Sequence, residues 1–154
     1  MAVNEDLIGK QWPAVEYEVG REKIREYANA VGETNPIHHD PEAARAAGYR
    51  GVVAPPMFCV VYSAPAMGPA VVDPELGINL AAMVHGSQVF EWGEPVCGGD
   101  LVTTTARLAD LSEKTGMTFY VFESESVNQD GERTVKGTWT NIVRGGSGSV
   151  PDVD

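Results

Sequence analysis

Within the stretch Tyr27-Ala-Asn-Ala-Val-Gly-Glu-Thr-Asn-Pro-Ile-His38 the chain carries a carboxylate (Glu33), an amide (Asn35) and an imidazole (His38). A carboxylate and a histidine brought to one site can divide acid and base work near neutral pH. The Asn35-Pro36 pair makes this a non-helical segment, and loops carry function more often than chance because a scaffold aims their side chains. The same residues also read as an Asn-Pro turn with polar side chains facing solvent. Other candidates are sparser. His39 and Asp40 follow His38, yet neighbouring side chains point apart and no Cys or further His stands at ligand spacing, so no metal site is expected. Asp40-Pro41-Glu42 reads instead as a helix cap with Pro at the first helical position. His85 lies on an expected strand and reads as a structural histidine. Cys59 falls in an apolar run, and nothing marks Cys97 as activated. Arg45 and Arg50 read as surface charge.

The elements that must position these groups follow from periodicity. An extended opening through Trp12-Pro13 and Tyr17-Glu18-Val19 precedes Gly20. Ile24, Tyr27, Ala28 and Val31 recur at helical spacing, which predicts a helix over Arg21 to Val31 with Gly32 as its stop. A short helix is expected through Pro41-Glu-Ala-Ala-Arg-Ala-Ala-Gly48. Met57 to Ser63 is apolar nearly all round and predicts a helix buried on every side, started by Pro55-Pro56 and ended at Pro65. After a loop over Val71 to Asn79, four β-rich segments follow: Met83 to Trp92, Leu101 to Leu111, Met117 to Val127 and Thr134 to Val143. Lys114-Thr115-Gly116 and Asn128-Gln129-Asp130-Gly131 read as hairpin turns. The fold class is α+β: an antiparallel sheet wrapped around one buried helix. Residues 1–144 form a single domain, and the Gly- and Ser-rich stretch 145–154 reads as a flexible tail. An open sheet edge makes homodimerisation reasonable.

The 154 residues carry 11 Lys and Arg against 22 Asp and Glu, a net charge of −11, which argues against nucleic-acid phosphates and anionic membrane surfaces. Two cysteines are too few for a disulfide framework. With no signal-like opening and no run long enough to span a bilayer, the expected compartment is the cytoplasm.

Gly-Glu-Thr-Asn-Pro-Ile-His-His-Asp-Pro-Glu-Ala-Ala resembles the hydratase motif of the MaoC-like (R-specific enoyl-CoA hydratase) hot-dog family. There Gly, Asp, any residue, Asn, Pro, an aliphatic residue and His stand in that order. The opening YEVGREKIREYANAV, the central APPMF, VHGSQVFEWGEPVCGGD and the closing Thr-Trp-Thr strand are similar to its FAS1-like, N-terminal dehydratase branch, which includes a subunit of mycobacterial (3R)-hydroxyacyl-ACP dehydratase. The resemblance spans about residues 5–144 and implies a hot-dog fold, dimeric or pseudo-dimeric, acting on acyl thioesters of CoA or acyl carrier protein without a cofactor. It assigns Glu33 and His38 as the pair that activates water. Asn35 would support the loop, and Pro56, Met57 and His85 would lie along the substrate.

Two departures bear on that implication. The motif's Asp is Glu33 here, which moves the carboxylate by about one bond, and a misplacement of about 1 Å can cost on the order of 100-fold in rate. Catalytic members carry Ala-His-Gly where this chain has Ala54-Pro55-Pro56, and Pro56 has no N–H for a thioester oxygen. Two functions are therefore expected in order. The first is an (R)-specific enoyl-CoA hydratase or 3-hydroxyacyl-thioester dehydratase. The alternative is a non-catalytic acyl-binding subunit of a heterodimeric (3R)-hydroxyacyl-ACP dehydratase.

Overall fold

The structure, a computed structural model, describes residues 3–145, so nearly all of the expected 145–154 tail lies outside the described residues. Five strands form one antiparallel sheet: β1 (Gln11–Glu18), β2 (Met83–Trp92), β3 (Leu101–Lys114), β4 (Met117–Val127) and β5 (Arg133–Arg144). Their order is β1-β3-β4-β5-β2, which leaves β1 and β2 as the edges. Alternation decides which face turns inward. Thr118, Tyr120, Phe122, Ser124 and Ser126 of β4 are buried, while Phe119, Val121 and Glu123 face outward. Several inward residues are hydroxyls, and all but the unpartnered Thr118 Oγ1 are of the kind that pairs, as Thr104 and Ser126 do at 2.7 Å and as Ser124 Oγ does in accepting from Trp139 Nε1 at 2.8 Å. Buried polar groups of this kind are tolerated because they are hydrogen-bonded.

Helix α1 spans Arg21–Ala30 and buries Ile24 and Ala28. Gly32 follows it with φ +73°, the left-handed stop that the sequence suggests. Helix α2 spans Pro41–Ala46, capped by Asp40, which accepts from Glu42 N–H. The central helix differs from its expected form. A 3-10 turn over Pro56–Phe58 leads into α3 (Cys59–Ser63), a second 3-10 turn over Ala64–Met67 and then α4 (Gly68–Val71). The rod thus continues past Pro65 instead of ending there. Pro65 and Pro69 each sit in the first turn of a new segment, where an N–H would have no partner within that segment. Nor is the rod buried all round. Met57 is 46% exposed, because at the rod's first turn no sheet residue covers it. Phe58, Cys59 and Tyr62 pack against Val102 and Val135, and Ala66, Met67 and Ala70 against Leu108, Phe122 and Trp139.

Strand β3 runs three residues beyond its expected end, up to a two-residue turn. Thr115 and Gly116 take φ of +51° and +73°, the pattern of a type I′ hairpin turn. A β-branched residue is strained there, whereas Asn is favoured. Thr115→Asn is expected to stabilise the protein by about 0.5–1 kcal/mol, a range set by backbone effects of this kind; a urea midpoint that falls would contradict it.

Candidate active site

His38 ends a 3-10 turn, Pro36–His38, whose cap is Asn35: its Oδ1 accepts from Ile37 N–H at 3.2 Å. One residue pair earlier, Glu33 Oε1 accepts from Asn35 N–H at 2.9 Å, and Glu33 N–H donates back to Ala28 of α1. His39 Nε2 lies 2.7 Å from the Glu33 carbonyl oxygen. A carbonyl only accepts, so His39 carries the proton on Nε2 and pins the loop. This histidine has a structural partner, and among the described residues no cluster of His, Cys, Asp and Glu could hold a metal ion.

The His38 ring is 6% exposed, and its Nδ1 lies 2.7 Å from the Val53 carbonyl oxygen. The same argument puts the proton on Nδ1 and leaves Nε2 as the lone-pair nitrogen available to a bound molecule. Val53 N–H donates to Ile37 oxygen at 3.0 Å, so two bonds lock the His38 turn to the segment before the rod. That segment is itself clamped. Val53 bridges Cys97, Ala54 N–H donates to Val96, and Gly98 N–H donates to Val52.

Behind the clamp sits Asp100, almost wholly buried. Arg50 grips it with two bonds of 2.7 and 2.9 Å, and Cys97 N–H and Gln129 Nε2 complete four donors to its two oxygens. Burial pushes the Asp100 carboxyl upward, but Arg50, Cys97 N–H and Gln129 together outweigh it and hold it below the usual range. Sequence reading assigned Arg50 to the surface and gave Asp100 no role. A pair fifty residues apart has no local signal.

His38 lines a cavity of about 280 Å³. Its walls include Ile37, Tyr49, Val53, Pro56, Cys59 and Tyr62, with Trp92 to Val96 and Thr134 opposite. Burial pushes the Cys59 thiol up to about 11, so it is neutral near pH 7 and no ready nucleophile. Burial also raises Tyr62, which lines the cavity together with Thr134. Trp92 Nε1 donates to the Pro56 carbonyl oxygen at 2.9 Å, joining the β2 end to the rod's start. At that start, Phe58 N–H donates to Pro55 oxygen, which leaves Met57 as the first residue with an N–H to offer.

Of the residues singled out from sequence, His38 and Pro56 share this cavity. Glu33 and Asn35 stand on the adjoining loop and Met57 in the rod's first turn, all three outside its lining. His85 lies elsewhere. It packs edge-on to Trp139 at 6.3 Å, seven residues along β2 from Trp92, roughly 23 Å at about 3.3 Å per residue. Tyr62, Trp92 and Thr134 line the cavity although sequence reading placed them only in a buried helix or in strands.

Residues 6–136 match the family described as "FAS1-like, dehydratase domain region". Relatives include a "UPF0336 protein" of Saccharopolyspora erythraea, 40% identical over 146 residues, covering 94% of this chain and 94% of that one. Another, from Clavibacter michiganensis, is 43% identical and covers 94% of this chain and 98% of its own. Among solved structures, a "MaoC-like dehydratase" superposes with a TM-score of 0.80 at 27% identity over 90% of this chain, which spans only 42% of that longer one. The HadBC (3R-hydroxyacyl-ACP dehydratase) complex of Mycobacterium tuberculosis gives 0.73 at 28% identity, covering 89% of this chain and 97% of that one. These likenesses make the sheet-and-rod architecture a hot-dog fold of the MaoC-like kind. The chain belongs to the FAS1-like dehydratase family.

Proposed function

We propose that the chain is an (R)-specific hydratase or dehydratase of acyl thioesters, with His38 as its proton-moving group. The observation that carries this is the His38 ring. It is buried in a largely apolar cavity, with Nδ1 committed to Val53 and Nε2 left as a base. In hydration, a water oxygen bonds the β-carbon of a trans-2-enoyl thioester while one of its protons passes to Nε2. The double-bond electrons move toward the α-carbon and the thioester oxygen. The proton then returns at the α-carbon, so the elements of water are added and nothing is left over. Glu33 orients the water from the loop beside His38, and Asn35 holds that loop through its cap. Met57 N–H takes the oxyanion role that Pro56 cannot fill.

The substrate is the thioester of CoA or of acyl carrier protein. Strand β1 protects its edge with Pro13, a bulge and Glu16 and Glu18, whereas β2 exposes Val84, Val89 and Trp92 along ten residues. Pairing through β2 with a second copy, or with another hot-dog chain, covers that edge. The purified chain is expected to hydrate crotonyl-CoA, seen as loss of the enoyl thioester's ultraviolet absorbance. No turnover from folded protein across several chain lengths counts against the proposal.

A second reading is favoured by the placement of Glu33 outside the cavity lining and by the missing N–H at Pro56. It makes the chain an acyl-binding subunit whose partner supplies the catalytic carboxylate, as in a heterodimeric (3R)-hydroxyacyl-ACP dehydratase. Activity that appears only on adding such a partner selects this reading.

A further inference from the structure

The cavity has a distinct mouth and floor. Trp92 is 52% exposed at the mouth, with Gly93, Glu94 and Pro95 exposed beside it, whereas Cys59, Tyr62 and Thr134 at the other end are at most 3% exposed. Tyr62 on the rod and Thr134 on β5 line that end together. The floor is braced from both sides. The Phe58 ring leans on Tyr62 at 6.3 Å between centroids, and the Tyr62 carbonyl oxygen accepts from Thr104, which is bonded to Ser126. A buried ring packed on a neighbour and anchored through its own backbone does not swing aside at no cost.

The space between mouth and floor is small. At roughly 30 Å³ for each water-sized group, a cavity of about 280 Å³ holds about nine such groups. A thioester carbonyl carbon and oxygen, the α- and β-carbons and one reacting water occupy five of them. About four chain carbons remain. We infer that the site takes short acyl chains, of about four to eight carbons in all, and that Tyr62 is the residue that sets this ceiling. This inference rests on the proposal that the cavity holds the acyl group of a thioester. A longer chain must push the buried Tyr62 ring out of its packing against Phe58, and forcing extra carbons into a packed interior weakens binding by roughly tenfold or more.

The test is calorimetric titration of the intact protein with saturated acyl-CoAs of four, six, eight, twelve and sixteen carbons, which needs no turnover. Affinity is expected to rise to six or eight carbons and to fall at least tenfold by twelve. In Tyr62→Ala the floor is gone, and dodecanoyl-CoA is expected to gain at least tenfold over the unmutated protein. In Tyr62→Phe the ring remains and so does the ceiling. Should Tyr62→Ala not fold by circular dichroism, Tyr62→Leu, which keeps more of the packing, serves in its place. Dodecanoyl-CoA bound as tightly as hexanoyl-CoA overturns the inference, as does a folded Tyr62→Ala or Tyr62→Leu with an unchanged ceiling. A ceiling in binding without hydration of any enoyl-CoA sinks the catalytic proposal and leaves the ceiling standing. Hydration of long enoyl-CoAs at undiminished kcat/KM does the reverse. Absence of binding at every length overturns both.

Discussion

His38→Ala is expected to lower kcat for crotonyl-CoA hydration by about 100- to 10,000-fold, the range for removing a general acid–base group. The argument rests on tautomer, not on proximity alone. Val53 oxygen accepts the Nδ1 proton, so Nε2 must face its substrate as a base, and the one carboxylate among the described lining residues, Glu94, is exposed at the mouth. Cys59 and Tyr62 are held protonated by burial. KM should change far less than kcat, because the ring supplies little of the cavity wall that would hold an acyl chain. The substitution also leaves Val53 oxygen without its donor, at a cost of about 1–3 kcal/mol. Thermal melting must therefore accompany the assay. His38→Asn, whose amide nitrogen stands where Nδ1 does and can still donate to Val53 but cannot act as a base, separates the two effects. A His38→Asn enzyme that is stable and retains more than a tenth of its turnover would remove His38 from the reaction.

The parts of the molecule legible from sequence are those governed by neighbours a few residues apart. Ile24 and Ala28 mark the buried stripe of α1, Gly32 its left-handed end, and Asp40 the cap of α2; each works within one turn of chain. Strand β4 was readable for the same reason, since Tyr120 and Phe122 alternate with residues of the outer face. The rod is harder. A proline inside an apolar run signals a stop, yet Pro65 opens a fresh turn, because a chain can restart a helix wherever it changes its hydrogen-bond step. Most of the cavity was not readable at all. Tyr62 meets Thr134, Trp92 meets Pro56, and Arg50 meets Asp100 across separations that only the sheet order creates. The loop motif thus points to His38 while leaving open what surrounds it. The half-buried Glu33, its carboxylate tied to Asn35 N–H, is a feature that spacing alone could not supply.

Asp100→Ala should destabilise the protein by about 3 kcal/mol at pH 7, at the low end for removing one partner of a buried ion pair because Arg50 itself reaches water. The Arg50 side chain is 56% exposed against 2% for Asp100. Deleting the carboxylate therefore strands Cys97 N–H more than it strands the guanidinium. The effect carries a pH signature. The folded carboxyl lies below its unfolded value of roughly 3.9, so its stabilisation is fully present above that pH and is lost as pH falls through the folded value. The urea-unfolding difference between Asp100→Asn and the unmutated protein should accordingly be largest near neutrality and shrink below about pH 4. A difference that stays constant to the lowest pH at which both proteins fold would show that packing, and not the charge, holds this corner. The same corner anchors Cys97, which bridges Val53, the acceptor for His38. Loosening it should therefore reduce kcat beyond what the lost stability explains, since a shift of about 1 Å in a catalytic group can cost on the order of 100-fold. Full activity in a folded Asp100→Asn protein would confine Asp100 to stability alone.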